Sequence, residues 1–294
     1  MEKLKVLLDT DIGSDIDDAV CLAYLLRQPR CELMGITTVS GMPVERAKLA
    51  SVLCRAAGKG DIPIYPGTAT PLLTPSRQQG AAQREVLPKY DHQTSFPMGQ
   101  HLEFMRRVIR ENPGEITLLA IGPMTNVALL FAIDPEIPSL LKNLVLMCGA
   151  FLPTRPHPAA EWNSLCDPFA SAMVYKAPVA EHLSVGLDVT LQVTMPAPAV
   201  REAFTDDLLK IVLDMAEVWF SKINTMTFHD PLTAVSLFCP EVCTFTQGQV
   251  DIELQSQRVL GMTHWKAAEN GPHKLATGVD ADRFFREYFS VFQQ

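Results

Sequence analysis

The sequence has no apolar run near the ~18 residues needed to cross a bilayer, and its first residues lack the pattern of a secretion signal. A soluble cytoplasmic protein with no membrane partner is the expectation. Positive charge is also scarce, since 25 Lys and Arg against 33 Asp and Glu leave a net charge of −8. A phosphate-backbone binder wants a basic face, so this balance argues against nucleic acid and leaves room for one small ligand. The seven cysteines include no Cys-x-x-Cys, and no His follows Cys239 and Cys243, a pair expected to share a helical face, at zinc-finger spacing. They read as reduced core thiols. No internal repeat or linker breaks the chain, so its 294 residues, 47% hydrophobic, read as a single domain, 1–294, with a large core.

What the chain does have is a concentration of acid. Lys5-Val6-Leu7-Leu8 is a short continuous apolar run, the pattern of a strand buried on both faces, and it feeds directly into Asp9, Asp11, Asp15, Asp17 and Asp18. Five carboxylates this close repel one another strongly unless something neutralises them. A hard divalent cation, which prefers carboxylate, carbonyl and water oxygens, is the simplest neutraliser. Apolar spacing turns helical after Gly13, which puts Ser14 or Asp15 at the expected N-cap and lets the helix dipole favour the acids of the first turn.

Further along, residues 31–39 read as a second strand, 44–57 as a helix and 62–65 as a short third strand. Residues 66–99 form a long polar, proline-rich loop, either a flap over a site or a solvated insertion. A helix at 101–111, stopped by Asn112-Pro113-Gly114, precedes a buried strand at 116–121 and a turn into another helix, with Thr125 as its expected cap. Strands follow at 144–150 and 183–190, two amphipathic helices within 196–225, a helix opening on His229-Asp230-Pro231, a hairpin from 250–254 and 260–263, and a closing helix at 281–292. Alternating strands and helices imply an α/β fold, a mostly parallel central sheet flanked by helices. Such sheets bind ligands at the carboxyl ends of their strands, where Asp9, Asp11 and Ser40-Gly41-Met42 would lie.

Three blocks carry a resemblance. DTDIGSDIDDAV (9–20), GPMTNVA (122–128) and HDP (229–231), with AEWN (160–163) between them, resemble the nucleoside hydrolases, the inosine–uridine-preferring ribohydrolase family. The resemblance implies metal-dependent hydrolysis of the N-glycosidic bond of ribonucleosides, releasing free base and ribose. It implies Ca2+, preferred to Mg2+, held by Asp11, Asp18, Asp230 and the backbone carbonyl of Ile121. Asp11 is then also the general base and His229 the proton donor to the leaving base. Asp17, Met147, Glu161 and Asn163 inherit ribose binding, Asp188 a supporting place, and a homodimer or homotetramer is the expected assembly.

The chain departs from the family pattern in places. Two extra residues separate Asp-x-Asp from Asp-Asp-Ala, so Asp15 competes with Asp17 and Asp18 for their positions. Met42 stands where relatives commonly have Asn, and Arg155 where an Asn contacts the 5′-hydroxyl. The flap lacks its His-Gly motif, with His92 as a displaced counterpart. These positions surround the base, so base preference does not transfer. Two rival readings are a catalytically impaired relative that binds nucleoside or calcium, and an Asp-x-Asp phosphohydrolase of haloacid-dehalogenase type. The latter wants Thr or Val where Gly13 stands.

Overall fold

In the computed structural model, which describes residues 3–152 and 158–293, one sheet draws strands from both ends of the chain. Its strands are β1 (Leu4–Thr10), β2 (Cys31–Thr38), β3 (Ile64–Pro66), β4 (Ile116–Ala120), β5 (Asn143–Met147) and β6 (His182–Val185). A separate antiparallel pair, β7 (Thr194–Pro196) and β8 (Thr225–Thr227), comes next. The chain then returns to the main sheet with β9 (Cys243–Ile252), β10 (Thr263–Ala267) and β11 (His273–Val279). Nine strands lie in the order β10-β9-β11-β6-β5-β4-β1-β2-β3. From β3 to β11 each neighbour is parallel, and β9, between β11 and β10, runs antiparallel to both.

β1 is an interior strand, third from the β3 edge, and its side chains are apolar on both faces. Val6 and Leu8 point into one helical layer, with helices Asp17–Arg27, Asp207–Phe220, His229–Phe238 and Ala281–Ser290. Leu7 points into the other, with helices His101–Glu111, Thr125–Ile133 and Pro168–Tyr175. The chain builds outward from β1 through β2 to β3, then crosses back to lay β4 on the other side of β1. Ligands of open parallel sheets bind outside the strand ends at such a reversal, where the two connections diverge and leave a crevice.

Several local expectations are corrected. Helix Asp17–Arg27 has Ile16 at its N-cap with no side-chain cap, and Asp15 only accepts from the Ile16 amide at 2.6 Å. Ser14 and Asp15 are thus in the loop before the helix. Thr125 lies inside its helix, behind Met124, and its hydroxyl donates to Asp167 at 2.7 Å. The strand expected through 183–190 ends at Val185, and Leu187–Thr190 is a helical turn. Asp188 stabilises that turn by accepting from the amides of Phe151 (3.0 Å) and Leu152 (2.7 Å), a tertiary contact that alternation in the sequence does not register. Cys239 ends one helix and Cys243 begins β9, so they share no helical face. All seven cysteines are buried and unpaired. Arg155 lies outside the described residues.

Candidate active site

The acids gather at the reversal point. β1 carries the chain to Asp11, and the next helix starts on Asp17 and Asp18, both buried in its first turn. A second helix, His229–Phe238, packs against it and brings Asp230, whose amide donates to Asp17 Oδ2 at 3.2 Å across 213 residues of chain. Carboxylate oxygens of Asp17, Asp18 and Asp230 lie within 4.8 Å of one another. Burial pushes all three carboxyls well above their usual range, and mutual repulsion pushes them further. Asp15 rises to about 7, again chiefly from burial. Both helix N-termini favour negative charge but do not cancel three buried carboxylates. The donor set fits a hard divalent cation.

Asp11 stands beside this trio rather than in it, so the three closest carboxylates include Asp17 where the resemblance implies Asp11. Its Oδ2 accepts from the side-chain amide of Gln78, and burial raises its carboxyl despite Arg46 and Gln78. Glycine at 122 permits this seating, because a Cβ there would come 2.8 Å from Asp11 Oδ1. Asp9 is not part of the cleft. It accepts from Thr37 and, at 2.7 Å, from Asn126, leaving Oδ2 buried without a partner, and burial raises its carboxyl to about 7. The sequence reading grouped it with the metal-binding acids, but its bonds tie β1 to its neighbours.

Arg46 was not anticipated. Its guanidinium is fully buried and donates five hydrogen bonds: to the carbonyls of Ser40 (2.8 Å), Ile12 (3.0 Å), Gly80 (3.1 Å) and Asp11, and to the Ser14 hydroxyl (3.0 Å). All five donors of the fork are used. One side chain thus ties together the loops after β1 and β2 and the loop 66–99. Gly41, at φ +60°, lets the last of these close in, since a Cβ there would sit 2.5 Å from the Gln78 carbonyl.

On the other wall, the Ile121 carbonyl accepts from Asn163 Nδ2 at 2.8 Å, and the same amide donates to the Met147 carbonyl at 3.0 Å. Glu161, buried, caps the helix Trp162–Cys166 by accepting from the amides of Asn163 (2.7 Å) and Ser164 (3.1 Å), and it also accepts from the Gly149 amide beyond β5 (3.2 Å). Ile121, Met147, Glu161 and Asn163 all face the cleft. His229 faces it too, with its Nδ1 hydrogen-bonded to the Thr190 hydroxyl at 2.7 Å, and burial lowers its imidazole to about 4.

The cleft encloses about 1140 Å³ and is lined by all the residues expected to hold the metal, bind the ribose or move protons: Asp11, Asp17, Asp18, Ile121, Met147, Glu161, Asn163, His229 and Asp230. Residues 78–82, Arg84 and Glu85 line it, so this part of the long loop covers the site. His92 does not reach it and instead meets the Tyr90 carbonyl at 2.9 Å. Polar side chains in a proline-rich loop were the only sequence signal for Gln78. Arg46 gave none, being an arginine within an ordinary periodic segment, and Thr190 was read only as scaffold at the end of the 183–190 strand.

With fold and cleft in place, comparison with known proteins gives the class. The sequence profile of the inosine–uridine preferring nucleoside hydrolases matches residues 6–286. The chain belongs to that family and is by class an N-ribosyl hydrolase. It is 32% identical to the non-specific ribonucleoside hydrolase RihC of Salmonella newport, over 98% of this chain and 97% of that protein. It is 30% identical to uridine nucleosidase 1 of Arabidopsis thaliana, over 85% of this chain and 79% of the relative. Among solved structures, the plant nucleoside hydrolase PpNRh1 superposes with a TM-score of 0.84 at 25% identity, over 99% of each chain. Among the described residues, no helix is long and apolar enough to cross a membrane.

Proposed function

We propose that this protein hydrolyses the N-glycosidic bond of ribonucleosides with the aid of a divalent cation, calcium in preference to magnesium. The observation that carries the reading is the arrival of Asp230 against Asp17 and Asp18 in the cleft that His229 also faces. Asp18 and Asp230, with Asp11 and the Ile121 carbonyl alongside, would hold the ion, and Asp17 closes the trio. When bound, the ion supplies charge that neutralises these acids, grips the ribose diol and makes a water more acidic.

The chain's own groups supply the rest. Asp11, fixed by Gln78, accepts a proton from water as the water oxygen bonds to C1′. The C1′–N bond breaks, its electron pair leaves with the base, and a proton from His229 neutralises the base nitrogen. Asp11 then returns a proton through solvent, so nucleoside and water give base and ribose. Glu161 and Asn163, rigidly held, present polar edges to the sugar, which discriminate sharply for matching hydroxyls. Homodimer or homotetramer formation accompanies this reading and is checked by light scattering.

The test is release of reducing sugar from a nucleoside panel, with and without EDTA, on wild type, Asp11→Ala and His229→Ala. Asp11→Ala is expected to abolish turnover of both inosine and p-nitrophenyl riboside. His229→Ala is expected to lose ~10²- to 10⁴-fold on inosine and far less on the activated aryl riboside. Equal losses would remove His229 from its acid role.

A further inference from the structure

We propose that Thr190 is a positioning residue for His229, its hydroxyl holding the ring so that Nε2 is the nitrogen presented to the departing base. This rests on the reading of His229 as proton donor. The Thr190 hydroxyl lies 2.7 Å from Nδ1, and Thr190 is fully buried. With Nδ1 engaged there, Nε2 is the ring nitrogen left for the cleft that His229 lines.

The support behind the hydroxyl is rigid. The turn Leu187–Thr190 follows β6, and its first amide donates to the Gly149 carbonyl at 2.8 Å. Asp188, in the same turn, holds the amides of Phe151 and Leu152. Past the turn, the Val193 carbonyl accepts from the amide of Phe228 at 2.9 Å, which fixes the residue directly before His229. Threonine and histidine are therefore anchored to a common frame on both sides of their contact. Threonine is also stiff at χ1, so little rotamer entropy opposes the bond.

A hydroxyl suits this place for a chemical reason. Because Nε2 gives up the proton, Nδ1 keeps its own in both the charged and the neutral ring, and the hydroxyl, accepting from Nδ1–H, stays bonded through turnover. Without the hydroxyl, Nδ1 is left buried and unpartnered, and a flip of the ring becomes an alternative that takes Nε2 away from the base.

The test uses the calcium-loaded enzyme and compares kcat and KM for inosine and p-nitrophenyl riboside in wild type, Thr190→Val, Thr190→Ser, His229→Ala and the Thr190→Val/His229→Ala double variant. Thr190→Val is expected to lower kcat on inosine at least tenfold with KM nearly constant, and to lose much less on the aryl riboside, whose leaving group departs without a proton. Thr190→Ser is expected to restore most of the loss, and the double variant to match His229→Ala alone. Thr190→Ala takes the place of Thr190→Val if the latter does not fold. Should His229→Ala keep its substrate split while removal of the Thr190 hydroxyl costs nothing, or costs both substrates equally, the positioning role is overturned and the acid role stands. Should His229→Ala itself lose equally on both, the acid role fails and the role of Thr190 fails with it.

Discussion

The side-chain amide of Gln78 donates to Asp11 Oδ2 across 67 residues of chain, and its carbonyl oxygen accepts from Trp162 Nε1 at 2.8 Å. One end of Gln78 orients the proposed base, and the other is braced by a residue on the far wall of the cleft. A hydrogen bond to a charged group contributes ~1.5–3 kcal/mol. Gln78→Ala is therefore expected to lower kcat/KM by roughly tenfold to a hundredfold on every substrate, activated or not. A steady-state comparison on inosine and p-nitrophenyl riboside checks this, and a loss confined to inosine would contradict it.

Arg46 makes five hydrogen bonds from a fully buried guanidinium. Lysine keeps the charge but offers three donors from a single nitrogen and cannot reproduce the fork. Arg46→Lys should destabilise the fold by on the order of 3 kcal/mol, the worth of two lost charge-assisted bonds. Urea unfolding reads this as a lower midpoint at an unchanged slope. A variant as stable as wild type would show that the loops hold together without the fork.

Three buried carboxyls forced above their usual range bind a cation in competition with protons. Calcium at a hundred times its Kd is expected to stabilise the protein by ~2.7 kcal/mol, and Asp230→Ala to abolish that gain. Because these acids are raised and must lose protons to bind, affinity should fall as the pH drops. EDTA is expected to stop turnover and calcium to restore it better than magnesium. Melting curves with and without calcium, at pH 8 and pH 6, decide the matter, and an identical calcium shift in Asp230→Ala would exclude the trio.

His182 stacks on Tyr175 at 4.9 Å with both ring nitrogens buried and unpartnered, and burial, aided by His273, holds its pKa well below 6.5. In the unfolded chain the same group takes a proton near 6.5. Below that pH the unfolded state binds the extra proton, so stability falls by ~1.4 kcal/mol per pH unit. His182→Phe removes this liability. Relative to wild type, it should gain about 2 kcal/mol between pH 8 and pH 5. Urea midpoints at the two pH values test the sign, and a difference independent of pH would rule it out.

Much of this was legible in the chain itself. A buried apolar run ending in aspartates, helical spacing after Gly13 and His-Asp-Pro opening another helix are local patterns, and local patterns report local conformation. Ends of elements were less legible. Asp188 turns 187–190 into a helical turn through bonds to Phe151 and Leu152, and Met124 rather than Thr125 precedes its helix because the Thr125 hydroxyl is drawn to Asp167.

The sequence by itself determined the α/β alternation, the burial of β1 on both faces and the residue types available for chemistry, since periodicity and chain order suffice for those. Only the tertiary structure decided that Asp17 joins Asp18 and Asp230 while Asp9 turns away, that Gln78 reaches Asp11, and that Thr190 meets His229. Those pairings depend on which strand ends lie side by side at the reversal of strand order. That arrangement follows from packing two helical layers over the whole sheet, and no short stretch of residues carries it.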